Sequence, residues 1–263
     1  GTDPDQETKM TQTFRHPDIL DIAKTEGKVS VDDLADRFGV SVQTIRRDLS
    51  DLAEMGKLER VHGGAILPSG TTNIAYSQRR TLNAAAKLQI AKACAATIPE
   101  NCTLFMNIGT TTEAVAEHLL DHQDLTVVTT NINVANILTA NENCEVIVTG
   151  GALRRSDGGL IGPLASRTIE QFKFDLAVIG CSALDSDGDL LDFDIQEVGV
   201  SQTVIKQSRR TFLVADHSKF NRTAPARIAS ISEIDTIFTD GETPKDLDDL
   251  CSTLETTLVI AGS

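Results

Sequence analysis

No stretch of this chain approaches the roughly 20 consecutive apolar residues that cross a bilayer, and no signal-peptide pattern opens it. A membrane protein is excluded on that reading. Cysteine is sparse: the five (94, 102, 144, 181 and 251) are scattered, odd in number and never paired as CxxC. Neither a disulfide framework nor a zinc ribbon is supported, and a reducing cytoplasm is the expected compartment. The five histidines (16, 62, 118, 122 and 217) form no HExxH pattern, so neither a metal nor a cofactor is expected. Positive charge is also in deficit, with 24 Lys and Arg against 38 Asp and Glu and a net charge of −14. That excludes a protein that coats nucleic acid by bulk charge, while leaving room for a locally basic reading element. What remains is an ordinary globular composition, 40% hydrophobic and 24% charged over 263 residues, enough for one large or two modest domains.

The opening nine residues, Gly1–Lys9, have no periodicity, and residues 1–13 read as a tail or expression scar. From Pro17 to Glu26 the apolar residues Ile19, Leu20, Ile22 and Ala23 lie on one face of a short helix, which Gly27 stops. Ser30 caps a second helix with Asp32 and Asp33 in its first turn, where the helix dipole favours carboxylates; Val31, Leu34, Ala35 and Phe38 form its apolar side. Gly39-Val40-Ser41 then breaks the chain. Ser41 caps a third helix whose apolar positions are Val42, Ile45, Leu49 and Leu52, within an arc of about 80° at 100° per residue. This is helix–turn–helix spacing.

Near the start of that third helix lie Gln43, Thr44, Arg46 and Arg47. Gln bonds adenine in two places, Arg forks onto guanine or grips phosphate, and Thr does either. Beyond it, Lys57–Ala65 alternates and turns like a small β wing, placing Lys57, Arg60 and His62 near phosphates. Residues 1–70 hold nine Lys and Arg against thirteen Asp and Glu, so the basic character is local. The expected DNA-reading set is Ser41, Gln43, Thr44, Arg46, Arg47, Lys57, Arg60 and His62, in a domain spanning 14–66.

Turn-rich residues follow, and a linker is expected over 67–75. In the remaining stretch, 76–263, a helix over Ser77–Ile98 precedes alternating strands and helices. Apolar runs at Thr103–Asn107, Thr126–Thr129, Glu145–Thr149, Leu176–Ile179, Phe212–Ala215 and Thr236–Phe238 predict a mostly parallel sheet covered by helices on both faces. Small and polar residues fall just after these strands, where open α/β sheets bind ligands. Gly109-Thr110-Thr111-Thr112 leads into a helix N-terminus suited to an anion. Thr130-Asn131 and Gly150-Gly151 are expected to converge nearby, with Lys219 as counter-charge. Asp185-x-Asp187-Gly188-Asp189 has carboxylates spaced as in a calcium loop, but its glycine is early and Gln196 sits where a glutamate belongs. A hairpin turn fits better.

Two runs make the sequence recognisable. Ser41-Val42-Gln43-Thr44-Ile45-Arg46-Arg47-Asp48-Leu49 with Asp51-Leu52, and His62-Gly63-Gly64-Ala65, closely resemble the winged helix–turn–helix of DeoR-family transcriptional regulators. Ile108-Gly109-Thr110-Thr111, Val128-Thr129-Thr130-Asn131, Thr149–Arg154, Asp216–Phe220 and Thr239-Asp240 resemble that family's C-terminal domain. The resemblance implies a ribose-5-phosphate isomerase-like fold that senses phosphorylated sugars or glycerol phosphate. It adds Asn107 and Glu197 to the effector set of Gly109, Thr110, Thr111, Thr112, Thr130, Asn131, Gly150, Gly151 and Lys219. Finer matches at Asn131–Asn136, Asp157–Gly162 and Asp185–Asp194 favour glycerol-3-phosphate. Three positions depart from the family pattern: Asn107 replaces an aspartate, Ala84-Ala85-Ala86 lacks an acidic residue before Lys87, and Gly199–Gln202 lacks a basic residue after Glu197. The implied protein is a repressor that binds double-stranded operator DNA as a homodimer or homotetramer. The competing expectation is a sugar-phosphate isomerase-like enzyme carrying an N-terminal interaction module.

Overall fold

The computed structural model describes residues 15–23, 26, 28–67, 76–241 and 243–262. The expected tail (1–13) and nearly all of the expected linker (68–75) lie outside these described residues. Contacts divide the chain into two compact units, Gly1–Thr72 and Asn73–Ser263.

In the first unit, residues 15–23 form α1, which buries Ile19 and Ala23. A strand not read from the sequence, β1 (Lys28–Ser30), precedes α2 (Val31–Phe38). Ser30 Oγ accepts from the Asp33 amide at 3.0 Å, the expected cap. Gly39 ends α2 in the left-handed region (φ +63°), a conformation that glycine adopts without steric cost. Next come α3 (Val42–Glu54), β2 (Glu59–Val61) and β3 (Gly64–Ile66). The three short strands pair antiparallel in the order β1-β3-β2, so the wing is a three-stranded sheet. Ile19, Val29, Leu34, Ile45, Leu49, Leu52 and Leu58 close a small core. Val42 does not join it. Placed at the first position of α3, it remains exposed, and the apolar arc begins one turn later at Ile45.

In the second unit the elements are α4 (Tyr76–Thr81), α5 (Ala84–Thr97), β4 (Cys102–Met106), α6 (Thr110–Glu117), β5 (Leu125–Thr129), α7 (Ile132–Leu138), β6 (Cys144–Val148), β7 (Ala152–Arg154), β8 (Gly159–Ile161), α8 (Pro163–Ile169), β9 (Leu176–Ile179), β10 (Ala183–Leu184), β11 (Asp189–Asp192), α9 (Ile195–Gln207), β12 (Thr211–Val214), β13 (Ala226–Ser230), β14 (Thr236–Asp240), α10 (Lys245–Thr253) and β15 (Thr257–Ala261). Seven strands pair in parallel in the order β15-β14-β12-β9-β4-β5-β6. Strand alternation divides the core. Leu104, Met106, Val178, Phe212 and Phe238 face α5, α6 and α7. Phe105, Ala177, Ile179, Leu213 and Ile237 face α8, α9 and α10. β10 and β11 form the expected hairpin through Asp185–Gly188, closed by Asp185 N–H to Asp189 O at 3.1 Å. β13 extends it into a three-stranded side sheet.

The glycine pair of the wing has two separate causes. Gly63 sits at φ +75°, and a Cβ on Gly64 would lie 1.9 Å from the Val29 carbonyl oxygen, which β1 brings against β3. Gly64→Ala should therefore lower the stability of the first unit by about 1–3 kcal/mol, the range for overpacking. Thermal denaturation of the variant checks this, and an unchanged midpoint would mean that the β1–β3 approach is looser than described.

Candidate functional site

The third helix is held at its start and at its middle. At its start, Ser41 Oγ accepts from the Thr44 amide at 3.1 Å and pairs with Thr44 Oγ1 at 2.8 Å. Both side chains are therefore engaged in the cap. Asp48, fully buried on the same helix, accepts from Arg15 Nε at 2.9 Å and Nη2 at 3.3 Å. This bidentate pair locks α3 to α1, and sequence reading missed it, although Asp48 sits at the edge of the apolar arc. Gln43, Arg46 and Arg47 are left exposed beside one another on the outer face. Lys57, Arg60 and His62 of the wing are exposed too, and Arg60 Nη1 donates to the Arg46 carbonyl at 3.2 Å. Wing and helix thus present one continuous polar surface with local positive charge. It is a shape that docks against phosphates and base edges.

In the second unit a cavity lies at the carboxyl ends of β4, β9 and β12. Gly109, Thr110, Thr111, Thr112, Glu197 and Lys219 of the expected set line it. Gly109 precedes α6 with no side-chain cap, so the first amides of α6 are without a capping side chain. Asn107 stands behind this wall: its Oδ1 accepts from Thr112 Oγ1 at 3.2 Å and from the Gly180 amide at 3.1 Å, tying two lining loops together. Burial pulls the Lys219 ammonium below the usual lysine range, with Cys181 and Asp216 opposing that shift and Arg222 adding to it. No hydrogen bond or ion pair joins Lys219 Nζ to another of the described residues.

The remaining expected residues sit elsewhere. Asn131 caps α7, accepting from the Asn133 and Val134 amides, and donates to Glu113 Oε1 at 3.1 Å. Thr130 is buried, with its carbonyl accepting from Leu160 N–H at 2.7 Å. Gly150 and Gly151 permit close packing: a Cβ on either would lie 2.8 Å from Leu164 or from the Ile161 carbonyl oxygen. These four are scaffold around the cavity and do not line it.

The cavity is also lined by carboxylates, of which sequence reading had named Glu197 and had passed over Asp157, Asp192 and Asp194 as site residues. Arg154 donates to Asp157 (Nε to Oδ1 at 3.0 Å, Nη2 to Oδ2 at 2.6 Å), to Asp194 Oδ2 at 2.8 Å and to Glu197 Oε2 at 2.7 Å. Although burial pulls its guanidinium down, Asp157 and Glu197 hold it above the usual arginine range. Glu197 is pushed up to about 7 by burial and by the charge of Asp192, with Arg154 acting against them. Asp192, also raised by burial, accepts from Ser182 Oγ at 3.0 Å. The stretch Asp192-Phe193-Asp194 was visible as a motif, but nothing in its spacing disclosed that Arg154 would gather it. The cavity therefore has an amide-rich, cationic wall and a carboxylate wall, with Arg79 also lining it. Such an arrangement can take an anionic group at one end and hydroxyl donors at the other.

Comparison with known proteins agrees with this division. The model of the DeoR-like helix-turn-helix domain matches residues 15–71, and that of the DeoR C terminal sensor domain matches residues 82–241. Similar relatives include the glycerol-3-phosphate regulon repressor of Escherichia coli (strain K12), 46% identical over 235 residues (89% of this chain and 93% of the relative). Its namesake from Haemophilus influenzae is 43% identical over 253 residues, covering 96% and 98%. The HTH-type transcriptional repressor CsqR of E. coli is 40% identical over 233 residues, covering 89% of each. Among solved structures, a ribose 5 phosphate isomerase A from Neisseria gonorrhoeae overlaps 51% of this chain and 52% of its own, with a TM-score of 0.37 and 15% identity. The relatives that span nearly the whole chain are named as regulators, which decides against the isomerase-like enzyme. This chain belongs to the DeoR family of transcriptional regulators, a helix–turn–helix domain joined to a sensor domain.

Proposed function

We propose that the protein represses a carbon-metabolism operon by binding operator DNA, and that glycerol-3-phosphate entering the sensor cavity releases it. The observation that carries this reading is the two-walled cavity. A phosphate accepts from the amides at the start of α6 and from Lys219, while glycerol hydroxyls donate to Asp192, Asp194 and Glu197. The names of the two glycerol-3-phosphate regulon repressors support that choice of effector over other phosphorylated polyols. Paired half-sites on an operator call for a symmetric homodimer or homotetramer. Among the described residues no helix is long and apolar enough to cross a membrane, and work on operator DNA supports a cytoplasmic location.

Arg46→Ala and Arg47→Ala should each weaken specific binding by about 1–3 kcal/mol per half-site while leaving the fold intact, because both side chains project from α3 into solvent. Gel shifts on the DNA upstream of its own gene measure this, and near-normal affinity in both variants sinks the assignment of α3. Operator affinity should also fall steeply with salt despite the net charge of −14, since counterions leave wherever Lys57, Arg60 or the α3 arginines meet phosphate. A flat salt response points instead to a protein partner for the first unit.

For the sensor, Lys219→Ala should cost about ten- to a hundredfold in glycerol-3-phosphate affinity, equivalent to one charge-assisted bond of roughly 1.5–3 kcal/mol, with repression retained. Calorimetry with glycerol-3-phosphate, fructose-1-phosphate and glycerol, run beside operator release, checks it. Heat and release from another phosphate alone would keep the family reading and overturn the effector.

A further inference from the structure

Arg79 lines the effector cavity but belongs to α4, the first helix described after the boundary between Thr72 and Asn73. Its guanidinium is poorly used. Nη2 lies 3.6 Å from Asp157 Oδ2, too far for a hydrogen bond. The buried Nε has no hydrogen-bond partner among the described residues. Asp157, for its part, is served without Arg79: Arg154 donates to both its oxygens, and the Gly159 amide donates to Oδ1 at 3.2 Å. A buried donor without an acceptor is costly, and the oxygens of a phosphate would satisfy it in a forked geometry.

The helix that carries Arg79 is lightly held. Among its described side chains Tyr76 and Arg79 are half-buried and Ser77, Arg80 and Thr81 are exposed, so it contributes no buried apolar residue to the core. Polar contacts tie it down instead. Tyr76 donates its hydroxyl to Glu113 Oε2 at 2.6 Å and accepts from Asn133 Nδ2 at 3.0 Å. Lys87, buried on α5, donates to the Arg79 carbonyl. The chain then turns into α5 through Asn83 at φ +54°, with Nδ2 donating to Asp216 Oδ1 at 3.0 Å. Segments held by a few polar contacts and little apolar burial shift at low free energy.

We propose that Arg79 binds the effector's anionic group, and that its move from Asp157 to that group displaces α4 and so couples cavity occupancy to operator affinity. This rests on the phosphate-effector reading above. The exchange of partner supplies the difference between the two states that any switch requires. Lys219 is then an affinity residue, whereas Arg79 serves both affinity and coupling.

Wild type, Arg79→Ala and Arg79→Lys, each as the full chain, distinguish these roles. Calorimetry with glycerol-3-phosphate gives the dissociation constant of each, and fluorescence anisotropy on an operator fragment is read at effector concentrations that calorimetry shows to be saturating. Saturated wild type should lose about 5–150-fold in operator affinity, the usual range of allosteric coupling. Arg79→Ala should bind effector about tenfold more weakly and stay on the operator even when saturated. Arg79→Lys, which keeps the charge but not the fork, should recover binding more than release. It carries the same comparison if circular dichroism shows that Arg79→Ala does not fold. Full release from saturated Arg79→Ala or Arg79→Lys overturns the coupling role, and unchanged effector affinity in both overturns the binding role. If glycerol-3-phosphate gives no heat with wild type, the effector assignment has failed, and fructose-1-phosphate or inorganic phosphate takes its place in the same comparison. Should none of the three bind wild type, both readings fall.

Discussion

Arg154 is the group on which the sensor cavity depends. Standing at the end of β7, it reaches Asp157 beside β8 and Asp194 and Glu197 at the start of α9. Without its charge, three carboxylates crowded around one cavity would repel one another, and burial already pushes Glu197 up to about 7. Held by Arg154, they form a stable acceptor wall. The lining at α6 has the reverse character, with uncapped amides and a half-buried lysine nearby, while the poorly partnered Arg79 stands beside Asp157. Cationic and carboxylate groups line the same cavity, and a phosphorylated polyol is a small molecule that offers an anion to the first and hydroxyl donors to the second.

The DNA-reading unit follows a related rule on a smaller scale. Its surface charge is usable because its buried charge is settled. The Arg15 pair with Asp48 fixes α3 from inside, leaving Arg46 and Arg47 with no structural duty of their side chains among the described contacts. Arg60 ties the wing to the backbone of α3 through the Arg46 carbonyl. An acidic chain thereby presents a local basic surface.

Much of this was legible in the sequence because local chemistry dictated it. The serine caps of α2 and α3, the left-handed Gly39 and the apolar core strands each follow from residues adjacent in sequence. Val42 was misplaced because an arc on a helical wheel ignores that the first helical residue projects beyond the packed turn. Short pieces such as β1 and β7 carry too few residues for a period to show. The effector set divided in the same way. Gly109–Thr112, Glu197 and Lys219 reach the cavity, whereas Thr130, Asn131, Gly150 and Gly151 cap helices or allow close packing. Small polar residues after strands serve both ends, and only three-dimensional context separates them. Arg79 and Arg154 stayed hidden for a different reason: their partners are remote in sequence, up to 78 and 43 residues away.

The proposed function requires an anion against the start of α6, with the hydroxyl-bearing end of the effector toward the carboxylates that Arg154 gathers. A crystal structure of the chain with glycerol-3-phosphate tests it most directly. Phosphate oxygens are expected within about 2.7–3.2 Å of the Thr110–Thr112 amides and of Lys219 Nζ, with glycerol hydroxyls donating to Asp194 or Glu197. A phosphate bound away from α6, or a ligand lying with its hydroxyls toward Lys219, would contradict it.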